Sequence, residues 1–373
     1  MHPSALSPAD VFAWRAIQAQ TADFADPLLG PDFAQAVGEH RQDAQVTVFR
    51  DGTTARGFFA FHRRPSGFGR PIGSPFSDYH AVVTAPGVVL SSKEVLAGAG
   101  LNAFSFDGLI DPNGGFSAET RDAYTIRLET SPADYLEGLR AASPKRFKNM
   151  RRLESKLERE VGPLRLVGDD QSRETFDTII AWKRDQFRRT GKTDVLRSDW
   201  SRALMESLFA RRTGDFRGLM IGLYAGDVLV GGHFGVRQGG HYHPWLASTH
   251  PDYAAYSPGQ TFLTQAIAAM PSMGLDVYDL GPGHDHYKRP FSPNPISIGA
   301  GLATAASAGG RLANARDIAW TLAGASRTPA IGKLRRRLDH IAAAELSTGG
   351  RVRGFIEALA SQGRTHAPDD GIS

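Results

Sequence analysis

The chain has 373 residues, of which 41% are hydrophobic and 22% charged, and its formal net charge is +4. This length and balance predict a globular protein with two domains and a further segment, rather than a single domain. The absence of cysteine excludes disulfides, thiolate catalysis and cysteine-ligated zinc or iron–sulfur sites. The net charge is small for a dedicated nucleic-acid-binding protein, so DNA is not expected among the partners.

The first residues, MHPSALSPADVFAWRAIQAQ, show no basic segment followed by an apolar run. No continuous apolar stretch reaches the length of about 18 residues that a membrane span needs. We therefore expect a cytoplasmic protein, with peripheral contact at the inner membrane face as the alternative. Two basic clusters, PKRFKNMRR from Pro144 and KLRRRLDH from Lys333, favour anionic partners such as phosphates, although a solvated helix face is the plainer interpretation.

Two stretches of the chain resemble each other at a constant offset. VTVFRDGTTARGFFAF begins at Val46, and IGLYAGDVLVGGHFGV begins at Ile221. Each alternates like a strand, turns at Asp-Gly or Gly-Asp, and continues as a second strand, which is typical of a β-hairpin. A period this long predicts two copies of one domain, since a solenoid repeats after far fewer residues.

Helices are predicted between the two hairpins. Ser131-Pro132 and Ser143-Pro144 each combine a capping residue with a proline that suits the first helical position. Two further helices are predicted in SRETFDTIIAWKRDQFRRTG and in DWSRALMESLFARRTG, the latter closed by Gly214. After the second hairpin come a strand in HYHPWLAS, a helix and a strand in LDVYDL. This order predicts a mixed α/β (α+β) layered fold.

The helix after the second hairpin begins with a distinctive segment, Tyr256-Ser257-Pro258-Gly259-Gln260. Ser257 and Gln260 have the spacing of a capping box, and Gly259 would let a ligand approach the backbone. A helix N-terminus with free N–H groups binds anions such as a pyrophosphate. A capped helix without any ligand is the plainer interpretation.

The stretch YDLGPGHDHYKRPF, from Tyr278, gathers several reactive side chains behind two glycines. A metal site is one interpretation, because His241 and His243 alternate on one strand and His284 and His286 add two more nitrogen ligands. We do not expect a metal, since no helical histidine pair accompanies them. A polar loop without chemistry is the other plain interpretation.

The residues from Trp245 to Lys288 resemble the CelD-type, FemAB-like branch of the GNAT N-acyltransferase superfamily. The similarity lies in an aromatic-Leu strand, a Tyr-Ser-Pro-Gly helix start, Asp-Leu-Gly-x-Gly and a Tyr-Lys pair, here Tyr287-Lys288. The N-terminal stretch GSPFSDYHAVV, with Asp78 and Tyr79, is similar to a weaker motif of that family. The usual GNAT pyrophosphate loop is reduced here to YSPGQ.

The resemblance implies two tandem GNAT-like domains, each a mixed sheet flanked by helices, at 1–125 and 126–310, with a basic, partly helical or disordered tail at 311–373. It implies N-acyl transfer from acyl-CoA to an amino sugar in exopolysaccharide or holdfast synthesis, where the polysaccharide precursor could be lipid-linked at the membrane surface. An aminoacyl-tRNA donor is an alternative that the resemblance leaves open, although tRNA is the less expected partner.

N-acyl transfer needs a base for the amine, donors for the developing oxyanion and an acid for the leaving group. We assign these roles to residues of the stretch at 279–288 and expect the cofactor at the helix start. The predicted catalytic residues are Lys288, Tyr287, His284, His286 and Asp279. The predicted cofactor-binding residues are Tyr256, Ser257, Gly259 and Gln260. The predicted substrate-binding residues are Asp78, Tyr79 and Trp245.

The C-terminal segment suggests a second class of function. Arg336-Arg337-Leu338-Asp339 resembles an Arg-x-x-Asp motif with which some bacterial proteins bind cyclic di-GMP. Paired arginines suit guanine and phosphate edges. Arg336, Arg337 and Asp339 are therefore candidate nucleotide-binding residues of a non-catalytic, regulatory protein on the same scaffold. A membrane-surface contact and an inert amphipathic helix are the other two interpretations of this segment.

Overall fold

The computed structural model of the chain describes residues 1–283, 288–324, 328–346, 349–350, 352 and 356. These residues form two compact units. The first comprises Met1–Arg121, Val195–Met205 and the described residues from Ser297 onward, and the second comprises Asp122–Asp194 and Glu206–Ile296. None of the described helices has the length and apolar character that a membrane span requires.

Helices and strands alternate in the order predicted for a mixed α/β protein. The α-helices of the described chain are α1 Pro8–Gln20, α2 Pro31–Gly38, α3 Ser92–Ala99, α4 Pro132–Ala142, α5 Pro144–Glu160, α6 Arg173–Thr190, α7 Asp199–Ala210, α8 Pro258–Ala269, α9 Ala308–Leu322 and α10 Pro329–Ala344. The strands are β1 Ala44–Asp51, β2 Thr54–Arg64, β3 Phe68–Pro71, β4 His80–Thr84, β5 Ala103–Ile110, β6 Glu119–Arg127, β7 Leu164–Val167, β8 Arg217–Ala225, β9 Val228–Gln238, β10 His241–Thr249, β11 Val277–Pro282 and β12 Ile296–Thr304.

The sheet of the first unit is mixed. β2 pairs with β1, β3 and β4 in antiparallel fashion, β3 and β4 pair with β5 in parallel, and β12 pairs with β5 antiparallel. Aromatic residues of β2 and β5 build its core together with α3, and the rings of Phe59 and Phe61 stack at 5.0 Å. A cluster of this kind buries enough apolar surface to hold α3 against the sheet.

The last described helix, α10, is fixed to the first unit by buried arginines. Arg64 donates to the carbonyl oxygens of Ala342 and Glu345, both at 3.0 Å, where the helix leaves its last carbonyls without internal partners. Asp43 binds both Arg64 and Arg41. Burial alone would raise the pKa of Asp43, but its hydrogen bonds with His62 and Arg41 outweigh that effect and hold the pKa well below its usual range. The segment from 311, predicted as a tail, thus contributes helices to the first unit.

The second unit has a sheet in the order β6-β11-β10-β9-β8-β7, in which only β10 and β11 run parallel to each other. Helices α4, α5 and α8 pack on one face, through residues such as Leu139, Leu157 and Phe262. Helix α6 packs on the other face, where Phe176 meets Phe234 at 5.0 Å. Successive side chains of β8 and β9 point to opposite faces of the sheet, so one set packs against α4, α5 and α8 and the other against α6.

Both predicted hairpins and the predicted helices are present, with local differences at the first hairpin, at the end of α7 and at the start of α5. The first hairpin turns at Gly52-Thr53, one residue later than the repeat predicts, because Asp51 pairs with Thr54. Helix α7 ends at Ala210, and Gly214, with φ of +89°, lies in the following turn instead of closing the helix. Of the two Ser-Pro helix starts, Ser131 accepts a hydrogen bond from Asp134 N, whereas Ser143 makes no such cap.

A buried histidine in the core of the first unit should make the free energy of unfolding depend on pH. His80 is 2% exposed, lies against Phe104 and Phe106, and has no hydrogen-bond partner for either ring nitrogen within the described chain. Burial lowers the pKa of His80 from 6.5 to about 3. Between these values the unfolded chain takes up a proton that the folded chain does not, so stability falls as the pH falls.

We therefore expect His80→Phe to reduce the pH dependence of the free energy of unfolding by about 1.4 kcal/mol per pH unit between pH 6 and 4.5. Above pH 7 the substitution should be neutral or stabilising, because it removes a buried polar group without a partner. Urea unfolding at several pH values measures both effects. Equal slopes for the variant and the natural chain would show that His80 is not a buried, neutral histidine.

Candidate acyl-transfer site

The site lies where two parallel strands of the second unit separate. β10 and β11 pair only at His241↔Val277 and Tyr242↔Tyr278, although both strands continue beyond these residues. From His243 and Asp279 onward the two strands diverge and leave a gap in the sheet. Helix α8 follows β10 and begins at this end of the strands, so its N-terminus lies beside the gap. We call this region the fork.

Local sequence explains the divergence. Pro244 has no N–H to donate, and the register of β10 against β9 shifts between Pro244 and Leu246, so Trp245 is the extra residue of a β-bulge. On the other strand, the register of β11 against β6 shifts between Asp279 and Gly281, and Gly281 has φ of +74°. A bulge on each strand turns the two backbones away from each other.

Asp279 holds the fork on the β11 side. It is 1% exposed, and its carboxylate accepts hydrogen bonds from Gly281 N at 2.5 Å and from the Thr125 hydroxyl at 2.8 Å. His243, equally buried, places its Nδ1 3.9 Å from Asp279 Oδ1. A buried carboxylate is stable only when its oxygens are bonded in this way. Asp279 therefore fixes the glycine turn, and it can also orient a neighbouring imidazole.

Lys288 lies at the end of the loop that follows β11. Its side chain is buried, and Nζ donates to the carbonyl oxygen of Pro282 at 2.8 Å. The ammonium group is thus held beside the end of β11, where it adds a positive charge to the fork. The other predicted catalytic residues of this loop, His284, His286 and Tyr287, lie outside the described residues.

The start of α8 differs from the predicted capping box. Ser257 has φ of +51° and ψ of 53°, and its side chain makes no cap; instead Gln260 N donates to the carbonyl oxygen of Ser257. The hydroxyl of Tyr256 donates to Glu160 at 2.6 Å, with Lys156 over the ring at 5.0 Å. The Ser257 hydroxyl therefore does not cap the first amides of α8.

The predicted substrate-binding residues fall in different units. Trp245 is half-buried in the second unit, at the bulge of β10. Asp78 and Tyr79 belong to the first unit, where Tyr79 is a core residue and Asp78 is half-buried. Burial raises the pKa of the nearby Asp107, and the charge of Asp78 adds to that rise. Asp78 therefore lies near the carboxylate of Asp107 in the first unit.

The predicted nucleotide-binding residues lie on α10. Asp339 binds Arg70 at 3.2 Å, and Arg335 lies 4.0 Å from its other oxygen. Arg336 is exposed, and Arg337 is half-buried with a pKa that burial lowers. The aspartate of the motif is thus engaged within the first unit.

Sequence reasoning missed polar partners that only the fold brings together. Thr125 is remote in sequence from Asp279 but adjacent to it in the sheet. Similarly, His233 bonds the hydroxyl of Tyr278 at 2.6 Å and stacks on Phe262. Burial, helped by the charge of Lys183, lowers the pKa of His233 to about 3, so this ring is neutral. No local pattern marks these pairs, because each joins different strands.

Residues 144–289 match the family model described as an acetyltransferase (GNAT) domain. The match contains α5 through the fork and the loop with Lys288. Over these residues the chain is similar to a GNAT acetyltransferase domain, and both the predicted fold class and the prediction of an acyltransferase are confirmed.

Solved structures offer more distant similarities. FemX is 10% identical with a TM-score of 0.49, over 78% of this chain and 94% of that chain. A tandem GNAT protein from the clavulanic acid biosynthesis pathway is 11% identical with a TM-score of 0.38, over 72% and 85%. The C-terminal domain (DUF2156) of a protein assigned as a lysylphosphatidylglycerol synthetase from Agrobacterium fabrum is 14% identical with a TM-score of 0.42, over 82% and 95%. These values support no conclusion about substrate. No curated protein matches the chain.

The conformation of Ser257 can be tested by its effect on the free energy of unfolding. A left-handed conformation costs a non-glycine residue about 1–2 kcal/mol, while glycine loses more entropy on folding. Ser257→Gly should therefore leave the free energy of unfolding unchanged or raise it by up to about 1 kcal/mol. The matched control, Ser131→Gly, removes a real cap and should lower it by a few tenths. Urea unfolding that shows a loss at Ser257 larger than at Ser131 would contradict this conformation.

Proposed function

We propose that the second unit transfers an acyl group from acyl-CoA to the amine of an amino sugar during the synthesis of a surface polysaccharide. The observation that carries this proposal is the fork: β10 and β11 separate after two residue pairs, beside the start of α8, inside the segment that matches the acetyltransferase domain. The polysaccharide context rests on the resemblance of residues 245–288 to exopolysaccharide and holdfast members of the superfamily.

The donor would bind across the fork. Beyond Tyr242, β10 no longer pairs with β11, so backbone groups on that edge can bond an extended pantetheine arm as a strand would. The pyrophosphate would lie at the start of α8, where Pro258 and Gly259 present no long side chain and the helix dipole favours negative charge. Gln260, half-buried in the first turn, would border the phosphates.

Transfer requires the neutral amine to attack the thioester carbonyl carbon. The carbonyl oxygen then becomes an oxyanion, the amine loses a proton, and the C–S bond breaks to release the thiolate. Lys288 would stabilise developing negative charge, since its ammonium is held beside β11. His284 or His286 would take the amine proton, and Tyr287 would protonate the thiolate. Asp279 would position this loop through the Gly281 turn.

The alternatives make different demands on the chain. A nucleotide sensor built on α10 would have to exchange the ion pair between Arg70 and Asp339 for its ligand, which weighs against that interpretation. An aminoacyl-tRNA donor would draw on the exposed cations of α5, Lys145, Lys148 and Arg151. In that case donor binding should weaken steeply with added salt, in contrast to the binding of a small cofactor.

A charge at the start of α8 tests donor binding. Gln260→Glu keeps the shape of the side chain and adds a negative charge where the pyrophosphate would lie. We expect the Kd for acetyl-CoA to rise by about tenfold or more, without loss of fold, because the same charge favours a helix N-terminus. Calorimetric titration measures the Kd. Gln20→Glu, an exposed change at the end of α1, is the control and should leave it unchanged. Equal affinities for both variants would place the donor elsewhere.

Replacement of Lys288 separates an enzyme from a binding protein. Lys288→Met keeps an unbranched buried side chain but removes the ammonium group. We expect CoA release from acetyl-CoA, with glucosamine or glucosamine 6-phosphate as acceptor, to fall by about 100-fold, while the Kd for acetyl-CoA changes little. The control Lys93→Met changes an exposed lysine of the first unit and should retain turnover. Full turnover in Lys288→Met would exclude a catalytic role for this residue.

A further inference from the structure

The second unit contains a cavity that the transfer chemistry described above leaves unused. Its volume is about 770 Å³, within the range of about 300–1,000 Å³ that is typical of small-molecule sites. The cavity lies between α4, the junction of α4 with α5, and the segment that follows Lys288. Leu139, Pro290 and Pro293 provide apolar surface on its wall. Arg289 directly follows Lys288 in the chain, and the lining residue Tyr124 pairs with Gly281 of β11, so the cavity adjoins the β11 side of the fork.

Gly138 is a glycine that neither the helix nor its neighbours require. It lies in the interior of α4, where glycine destabilises a helix relative to alanine. A Cβ built on Gly138 would meet no atom within 4 Å, and its backbone conformation is helical, so neither crowding nor a positive φ explains the glycine. The residue lines the cavity. Its missing side chain keeps this wall of the cavity open.

Two polar groups of the cavity wall have no partner within the described chain. Tyr124 is 6% exposed, and no described residue bonds its hydroxyl. Arg289 is exposed, and it makes no ion pair with any described residue. By contrast, the hydroxyl of Tyr135 donates to the carbonyl of Phe291 at 2.7 Å, and burial raises the pKa of Tyr135 to about 12. The Tyr124 hydroxyl is not fully enclosed by the described chain, so it can bond a ligand that enters the cavity.

The charge around the cavity favours an anion. Ser143, which lines the cavity, begins α5 without a side-chain cap, and the first turn of this helix has no acidic residue. Lys145 and Arg146 lie in that turn instead, where the helix dipole disfavours cations unless an anion is near. Arg289 lines the cavity itself, whereas Lys145 and Arg146 follow the lining residue Ser143 in the chain. Asp134, which lines it too, is engaged by the hydroxyl of Ser131.

We propose that this cavity is the acceptor site of the acyltransferase and that it takes an amino sugar carrying an anionic group, phosphate or carboxylate, which Arg289 binds while Tyr124 bonds a sugar oxygen. The proposal rests on the function proposed above and adds the chemical class of the acceptor. Arg289 suits either anion, because its planar guanidinium can bond two oxygens at once.

The test compares binding of three probes by calorimetric titration: glucosamine 6-phosphate, muramic acid, which carries a carboxylate, and glucosamine, which has no anionic group and is the reference. We expect one of the two anionic sugars to bind at least tenfold more tightly than glucosamine, and that preference identifies the anion. Arg289→Ala should weaken this binding by about tenfold to a hundredfold, and Tyr124→Phe by about threefold to tenfold. Lys93→Ala, which removes an exposed cation of the first unit, should have little effect.

A second pair of variants consists of one substitution that blocks the cavity and one matched control. Gly138→Trp fills open space on an exposed helix position and should abolish binding of the anionic sugar with the fold intact. Ala133→Trp is the matched control, since the helical period places this exposed residue on another face of α4, and it should bind as the natural chain does. Circular dichroism and thermal unfolding verify the fold of each variant.

Acetyl-CoA titrations of the same samples separate the two proposals. If acetyl-CoA binds the natural chain but no anionic sugar binds better than glucosamine, the acceptor proposal is wrong and the donor proposal stands. If the sugar binds and acetyl-CoA does not, the transfer function fails while the cavity keeps its anionic ligand. If Arg289→Ala or Gly138→Trp weakens acetyl-CoA binding and leaves sugar binding unchanged, the cavity serves the donor and the acceptor proposal is overturned.

Discussion

The separation of β10 and β11 is the constraint on which the proposed chemistry depends. Parallel strands normally continue to pair along their length, so a pairing limited to two residue pairs needs a local cause. Pro244 and the bulge at Trp245 provide it on one strand, and the turn at Gly281 provides it on the other. The gap exposes backbone groups of a rigid sheet to a ligand, beside the N-terminus of α8. A site on strands is positioned more accurately than one on loops.

Buried polar bonds hold this arrangement in place. Asp279 bonds the backbone of the Gly281 turn and the hydroxyl of Thr125, which ties the end of β11 to β6. Lys288 donates to the carbonyl oxygen of Pro282, at the end of β11. Since Asp279 and Lys288 are both buried and charged, loss of a partner leaves an uncompensated charge in a region of low dielectric. The geometry of the fork therefore depends on both side chains.

Sequence patterns predicted the elements of the fold better than the contacts between them. The Ser-Pro starts and alternating hairpins are local signals, and the structure contains the corresponding helices and strands. Two predictions from local sequence were wrong. Ser257 adopts a left-handed conformation instead of capping α8, and α7 ends before Gly214. The pairing of Thr125 with Asp279 was beyond prediction, because it follows from strand order. The cavity beside α4 likewise has no sequence signature except Gly138, an unexplained glycine inside a helix.

We propose that acyl-CoA binds across the fork, within the segment that matches the acetyltransferase (GNAT) domain. A crystal structure of the chain with CoA tests it most directly. The claim predicts the pantetheine arm between β10 and β11 beyond Tyr242 and the pyrophosphate at the amide of Gly259. CoA bound in the first unit, or absent at saturating concentration from a fork that stays open, would contradict it.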